Sequence, residues 1–167
     1  MTENENKASQ FKQGYLYAVR LLTASKKSGE QLKKRLLDRG YGCELSEQIL
    51  IQLQKQHLID DEKLARDTAL WAIEAKRFGR NRIAVELKKR GIAKKLVEDV
   101  LTSIDEVKER DTALNLGRDR WNRLKLVPLA KKQKRTYDYL VRRGFGFNLS
   151  REIIDDLRQE SFENPRT

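Results

Sequence analysis

The chain offers chemistry chiefly through its cations. From Lys76 to Lys95 the sequence holds nine Lys or Arg against one acid, Glu86, and from Arg118 to Arg143 it holds ten against two. Cations at this density suit phosphates or an acidic protein surface, because a field of one sign draws polyanions from a distance. The formal net charge of +11 points the same way. A solvated lysine face is the plainer alternative, but such faces normally carry as many acids as bases. The candidate contact residues are Arg77, Arg80, Arg82, Lys88, Lys89, Arg90, Lys131, Lys132, Arg142 and Arg143. The expected partners are an acidic protein surface or nucleic acid.

Catalytic groups are scarce. His57 is the sole histidine and Cys43 the sole cysteine, so neither a histidine–cysteine metal cluster nor an internal disulfide can be built. His57 follows an amphipathic stretch and reads as a helix-end residue, and Cys43 as a passive small side chain. Asp60 and Asp61 point in different directions at a helix start, where an acid accepts orphan N–H groups. No phosphate-binding glycine loop, dinucleotide fingerprint or HExxH occurs. A non-enzyme without metal or cofactor is expected. The polar first ten residues lack the apolar core of a signal peptide, and no apolar run is long enough to span a bilayer. A cytoplasmic, monomeric protein without membrane contact is expected.

The elements that must carry these cations are helices. Charged residues make up 37% of the 167, but apolar residues interleave with them at helical spacing, and only two prolines are present. One frame recurs around Gly40, Gly91 and Gly144. Arg39, Arg90 and Arg143 precede these glycines, and Tyr41, Ile92 and Phe145 follow them. Leu36, Leu87 and Leu140 stand four positions before, and Leu45, Leu96 and Leu149 five positions after. Further on come Ile49, Leu50 and Leu53, then Val100, Leu101 and Ile104, then Ile153, Ile154 and Leu157. Such alignment marks an internal repeat.

The fold class is therefore all-α, with three tandem three-helix repeats forming an elongated, curved array of unspecified hand. The expected units are residues 11–57, 58–104 and 105–160, with frayed tails at 1–10 and 161–167. In the first, Ser28 and Gln31 form a capping box, Gly40 stops the second helix, and Ser46 starts the third. In the second, Leu64, Thr68, Trp71, Ala75 and Phe78 share one stripe, which makes Trp71 a core residue, and Gly79 ends that helix. In the third, Arg110–Leu114 repeats Arg66–Leu70 letter for letter. Leu114, Gly117, Trp121 and Leu124 face inward. Pro128 opens a long middle helix as its first residue, with Tyr137 and Leu140 inside. Asn148 or Ser150 starts the last helix.

With the repeats in place, the chain resembles the RecX family of bacterial recombinase regulators from Tyr15 to Leu157. The resemblance is carried by Leu58-Ile59-Asp60-Asp61-Glu62-Lys63-Leu64-Ala65, by Phe78-Gly79-Arg80-Asn81-Arg82-Ile83-Ala84-Val85-Glu86-Leu87 with Lys89-Arg90-Gly91-Ile92, and by Arg142-Arg143-Gly144-Phe145. Two positions depart from the family pattern: Leu64 where Phe is usual, and Arg80 where Pro is usual. The resemblance implies binding to RecA filaments on DNA, in DNA repair, recombination and the SOS response. It also implies dampening of strand exchange, ATP hydrolysis and coprotease activity, with no chemistry of its own. The alternative is a basic helical-repeat protein that binds single- or double-stranded DNA directly.

Overall fold

The structure, a computed structural model, describes residues 3–163. Among these, every regular element is an α-helix: α1 Glu3–Ala24, α2 Gly29–Asp38, α3 Cys43–Lys55, α4 Asp61–Glu74, α5 Arg80–Lys89, α6 Lys94–Thr102, α7 Glu106–Asn122, α8 Leu129–Arg143 and α9 Phe147–Glu163. The chain forms two compact units. One runs to Thr68 and includes Leu87–Val97; the other holds Ala69–Glu86 and the residues from Glu98 onward.

In the first unit α1, α2 and α3 pack against one another around Ala18, Leu32, Leu36, Ile49, Leu53 and Ile59. In the second, α7, α8 and α9 do the same around Ala113, Leu116, Trp121, Leu140, Phe145, Ile153, Ile154 and Leu157. Burying each large aliphatic side chain contributes about 1.5–3 kcal/mol, against the entropy of ordering it. Gly14 and Gly117 let helices approach closely. A Cβ on Gly14 would lie 2.6 Å from Ile49 Cδ1, and one on Gly117 3.0 Å from Ile153 Cγ2.

The recurring Leu, Arg, Gly and apolar residues are three copies of one helix stop. Gly40, Gly91 and Gly144 take φ of 93°, 72° and 94°, a left-handed conformation open to glycine at little cost. Their N–H groups donate to the carbonyls of Leu37, Lys88 and Val141. The next residues, Tyr41, Ile92 and Phe145, donate to Leu36, Leu87 and Leu140. This is a Schellman motif, in which the residue after the glycine also makes apolar contact with the one five places earlier. The repeated Leu and the repeated Tyr, Ile or Phe are the two halves of that contact. His57 plays the glycine's part at the end of α3, at φ 55°, with Leu58 donating to Leu53.

Several boundaries differ from expectation. Helix α1 begins at Glu3 rather than near Phe11, because no glycine or proline interrupts Glu3–Gln13. Met1, Thr2 and the last four residues lie outside the described residues. Helices α3 and α9 start earlier than expected, after Gly42 and Gly146, so Ser46 and Ser150 sit buried inside their first turns. Pro128 is the N-cap of α8 rather than its first residue. At 15 residues α8 is longer than the 10-residue α2 and α5, as its sequence led us to expect. Helix α4 ends at Glu74, before Gly79, and Arg77 adopts the left-handed turn at φ 50°. Trp71 is 52% exposed instead of buried. Helix α4 buries Leu64, Ala65, Thr68, Ala69 and Ala72. Three alanines there allow a closer approach than an indole would, and Trp71 lies one step around the helix under the Lys76 ammonium, 5.0 Å from the ring centroid.

Candidate protein and nucleic-acid interface

The N-termini of α2 and α5 are built alike, and each is closed by the following repeat. Four N–H groups at a helix start have no partner within the helix. At α2, Ser28 and Gln31 form the expected capping box, and the Gly29 N–H donates to Asp61 Oδ1 at 3.0 Å. Asp60 caps its own helix instead, accepting from the Lys63 N–H at 2.8 Å. The Ser28 hydroxyl donates to the carbonyl of Arg90, and Gly91 presses against this helix start. A Cβ on Gly91 would lie 2.8 Å from the Cβ of Glu30.

At α5 the equivalent first N–H, that of Arg80, donates to Glu109 Oε1 at 2.9 Å. The Arg80 guanidinium donates to Glu109 Oε2 at 2.7 Å, and its Nη1 lies 3.7 Å from Glu106. The Glu109 side chain is only 7% exposed. The N–H groups of Gly79 and Asn81 donate to the carbonyls of Arg143 and Gly144, both at 3.0 Å. A Cβ on Gly144 would lie 2.4 Å from the Arg82 backbone nitrogen. Two guanidiniums lie over the Phe78 ring, Arg143 at 4.9 Å and Arg82 at 5.5 Å from its centroid. Arg143 also donates to the carbonyls of Lys76 and, at 3.1 Å, Arg77, while Arg82 Nε pairs with Glu86 at 3.1 Å.

The sequence candidates thus divide. Arg80, Arg82 and Arg143 hold the junction between α5 and the end of α8, and Arg77 supplies that junction with a carbonyl. Lys132 is half-buried over the Trp121 ring, 4.5 Å from its centroid. Burial, and then the charge of Lys125, push its pKa below the usual lysine value. Arg90 is half-buried, and its carbonyl belongs to the α2 junction. Lys88, Lys89, Lys131 and Arg142 are exposed. On α8, Lys131, Arg135 and Arg142 recur at four and seven residues, which places them on one helix face, with exposed Lys134 beside them. That ridge is a row of exposed cations on one helix.

Residues 60–101 match the description "RecX, second three-helix domain", and residues 108–154 match "RecX, third three-helix domain". The chain is 32% identical over 150 residues to the "Regulatory protein RecX" of Mycobacterium sp. strain JLS, covering 85% of this chain and 80% of that protein. It is 32% identical over 151 residues to that of Mycobacterium avium, covering 87% and 85%. The chain belongs to the RecX family. The crystal structure of RecX from Lactobacillus salivarius shares the fold, with a TM-score of 0.83 at 21% identity over 91% of this chain and 99% of that one.

In this RecX-family chain Glu109 was not singled out from sequence, although it pairs with Arg80. The available signal was an acid in phase with Ala113, Leu116 and Gly117 on the buried face of α7. A proline at position 80 has no N–H, whereas Arg80 supplies both an N–H and a guanidinium to one buried carboxylate. No helix among the described residues is long and apolar enough to cross a membrane.

Proposed function

We propose that this RecX-family chain is a non-catalytic regulator that binds the RecA filament on DNA. In this reading it dampens the filament's ATP hydrolysis, strand exchange and coprotease activity, and acts as a cytoplasmic monomer. Family membership, with relatives named as regulatory proteins, is the observation that carries the reading. The exposed cations supply steering toward a polyanionic assembly. The proposed contacts are Lys88, Lys89, Lys131 and Arg142; Arg80, Arg82 and Arg143 act by holding the fold.

Substoichiometric protein should slow ATP hydrolysis by RecA on single-stranded DNA. Reversing Lys131 and Arg142 to Glu should weaken that effect while the helical circular dichroism is kept. The second reading, direct DNA binding, draws on the basic ridge of α8. Equal affinity for naked DNA with an unchanged filament ATPase would decide for it.

A further inference from the structure

Two of the three glycine helix stops are occupied, and the third is open. The Arg90–Gly91 stop seats on the start of α2, and the Arg143–Gly144 stop seats on the start of α5. In both cases main-chain carbonyls at the stop accept from a neighbouring helix N-terminus, through Ser28 Oγ in one and the Gly79 and Asn81 N–H groups in the other. The matching dipoles favour this arrangement, since a helix C-terminus is partly negative and an N-terminus partly positive. Both glycines are needed twice over, once for φ and once for the space where a Cβ would collide.

Gly40 has the same φ and the same hydrogen bonds, yet it is exposed, and nothing lies within 4 Å of its Cβ position. Leu37, one turn back, is 41% exposed beside it. Arg39 is drawn aside over the Tyr17 ring, 4.6 Å from its centroid. The surface that receives a helix start at the other two stops is therefore bare here.

We infer that the Arg39–Gly40 stop of α2 is a docking site for the N-terminus of an α-helix on a partner protein. The fitting helix opens with a small cap residue such as Ser or Gly and offers a hydroxyl or unpaired N–H groups to the carbonyls of Arg39 and Gly40. A second copy of this chain is a poor occupant. The start of its last middle helix is Pro128-Leu129, and proline has no N–H where Gly79 donates in the occupied junction.

The test adds a side chain to the open position and measures affinity for RecA filaments on single-stranded DNA; this choice of probe rests on the reading above. Gly40→Asn suits the purpose because Asn tolerates the left-handed conformation. Leu37→Lys alters the same surface without touching the glycine. Gly42→Asn is the control, a side chain added at an equally open position where Asn is a good N-cap. Helical circular dichroism and melting verify that each variant folds. The inference expects Gly40→Asn and Leu37→Lys to lose on the order of ten-fold in affinity, with Gly42→Asn unchanged. Wild-type binding that survives both substitutions overturns the docking site and leaves the filament reading intact. Absence of wild-type binding overturns both. Self-association that Gly40→Asn abolishes overturns it in favour of a second copy.

Discussion

The Arg80–Glu109 pair gives the sharpest energetic expectation. Glu109→Ala removes the acceptor for the first N–H of α5 and the partner of a guanidinium whose side chain is 32% exposed. Loss of a helix cap costs about 1 kcal/mol. Removing one member of a fully buried ion pair costs about 3–5 kcal/mol, and partial access of Arg80 to water lowers that to about 2. The sum is about 3 kcal/mol, or a fall in Tm of roughly 6–12 °C for a chain of this size. Arg80→Ala should also destabilise, because it leaves the Glu109 charge buried with only one N–H. Arg80→Pro removes both donors and should be worse, and Glu109→Leu in that background should restore much of the loss. Thermal unfolding of the two alanine variants and their double variant closes a cycle. A Tm change below about 2 °C for Glu109→Ala would refute the reasoning, as would additive single effects.

Other expectations follow from packing and charge. Gly144→Ala should cost about 3–4 kcal/mol, because the left-handed strain adds to a collision with the Arg82 backbone, whereas Gly40→Ala should cost about 1 kcal/mol from strain alone. Urea unfolding of the two variants separates these terms. Trp121→Ala should lose about 3–5 kcal/mol, since Trp121 is 3% exposed and donates to Ser161 Oγ at 3.0 Å, while Trp71→Ala should change stability by about 0.5 kcal/mol or less. A hydrogen bond from Lys26 at 2.7 Å lowers the pKa of Asp67. A depressed folded-state value means that the stabilisation is present above the unfolded pKa and disappears as pH falls through the folded one. Asp67→Asn should therefore be less stable than wild type near neutrality, and the two should converge well below about pH 4, as acid-unfolding curves would reveal.

The helix stops were legible from sequence because their code is local. A left-handed glycine, an apolar residue after it and a leucine before it all lie within one turn and a half. The Ser28 capping box was legible for the same reason. The buried side of α4 was not, because Trp71 and Ala72 are adjacent and either could complete a helical stripe with Leu64 and Thr68. Close packing decided for the small residue. The cations formed one class in sequence and two in space. Arg80 and Glu109 are 29 residues apart, and the carbonyls that hold Arg143 lie 66 and 67 residues upstream. Pairings at such separations leave no periodic trace.

The way a helix stop meets a helix start also limits symmetry. A joint between an electronegative C-terminus and an electropositive N-terminus is directional, so a two-fold axis cannot pass through it. A symmetric pair of chains meeting through the Gly40 surface would bring carbonyl ends face to face, with like partial charges opposed. An assembly that repeats the stop-to-start joint of Gly91 and Gly144 at that surface is heterologous, with one molecule offering the stop and another the start.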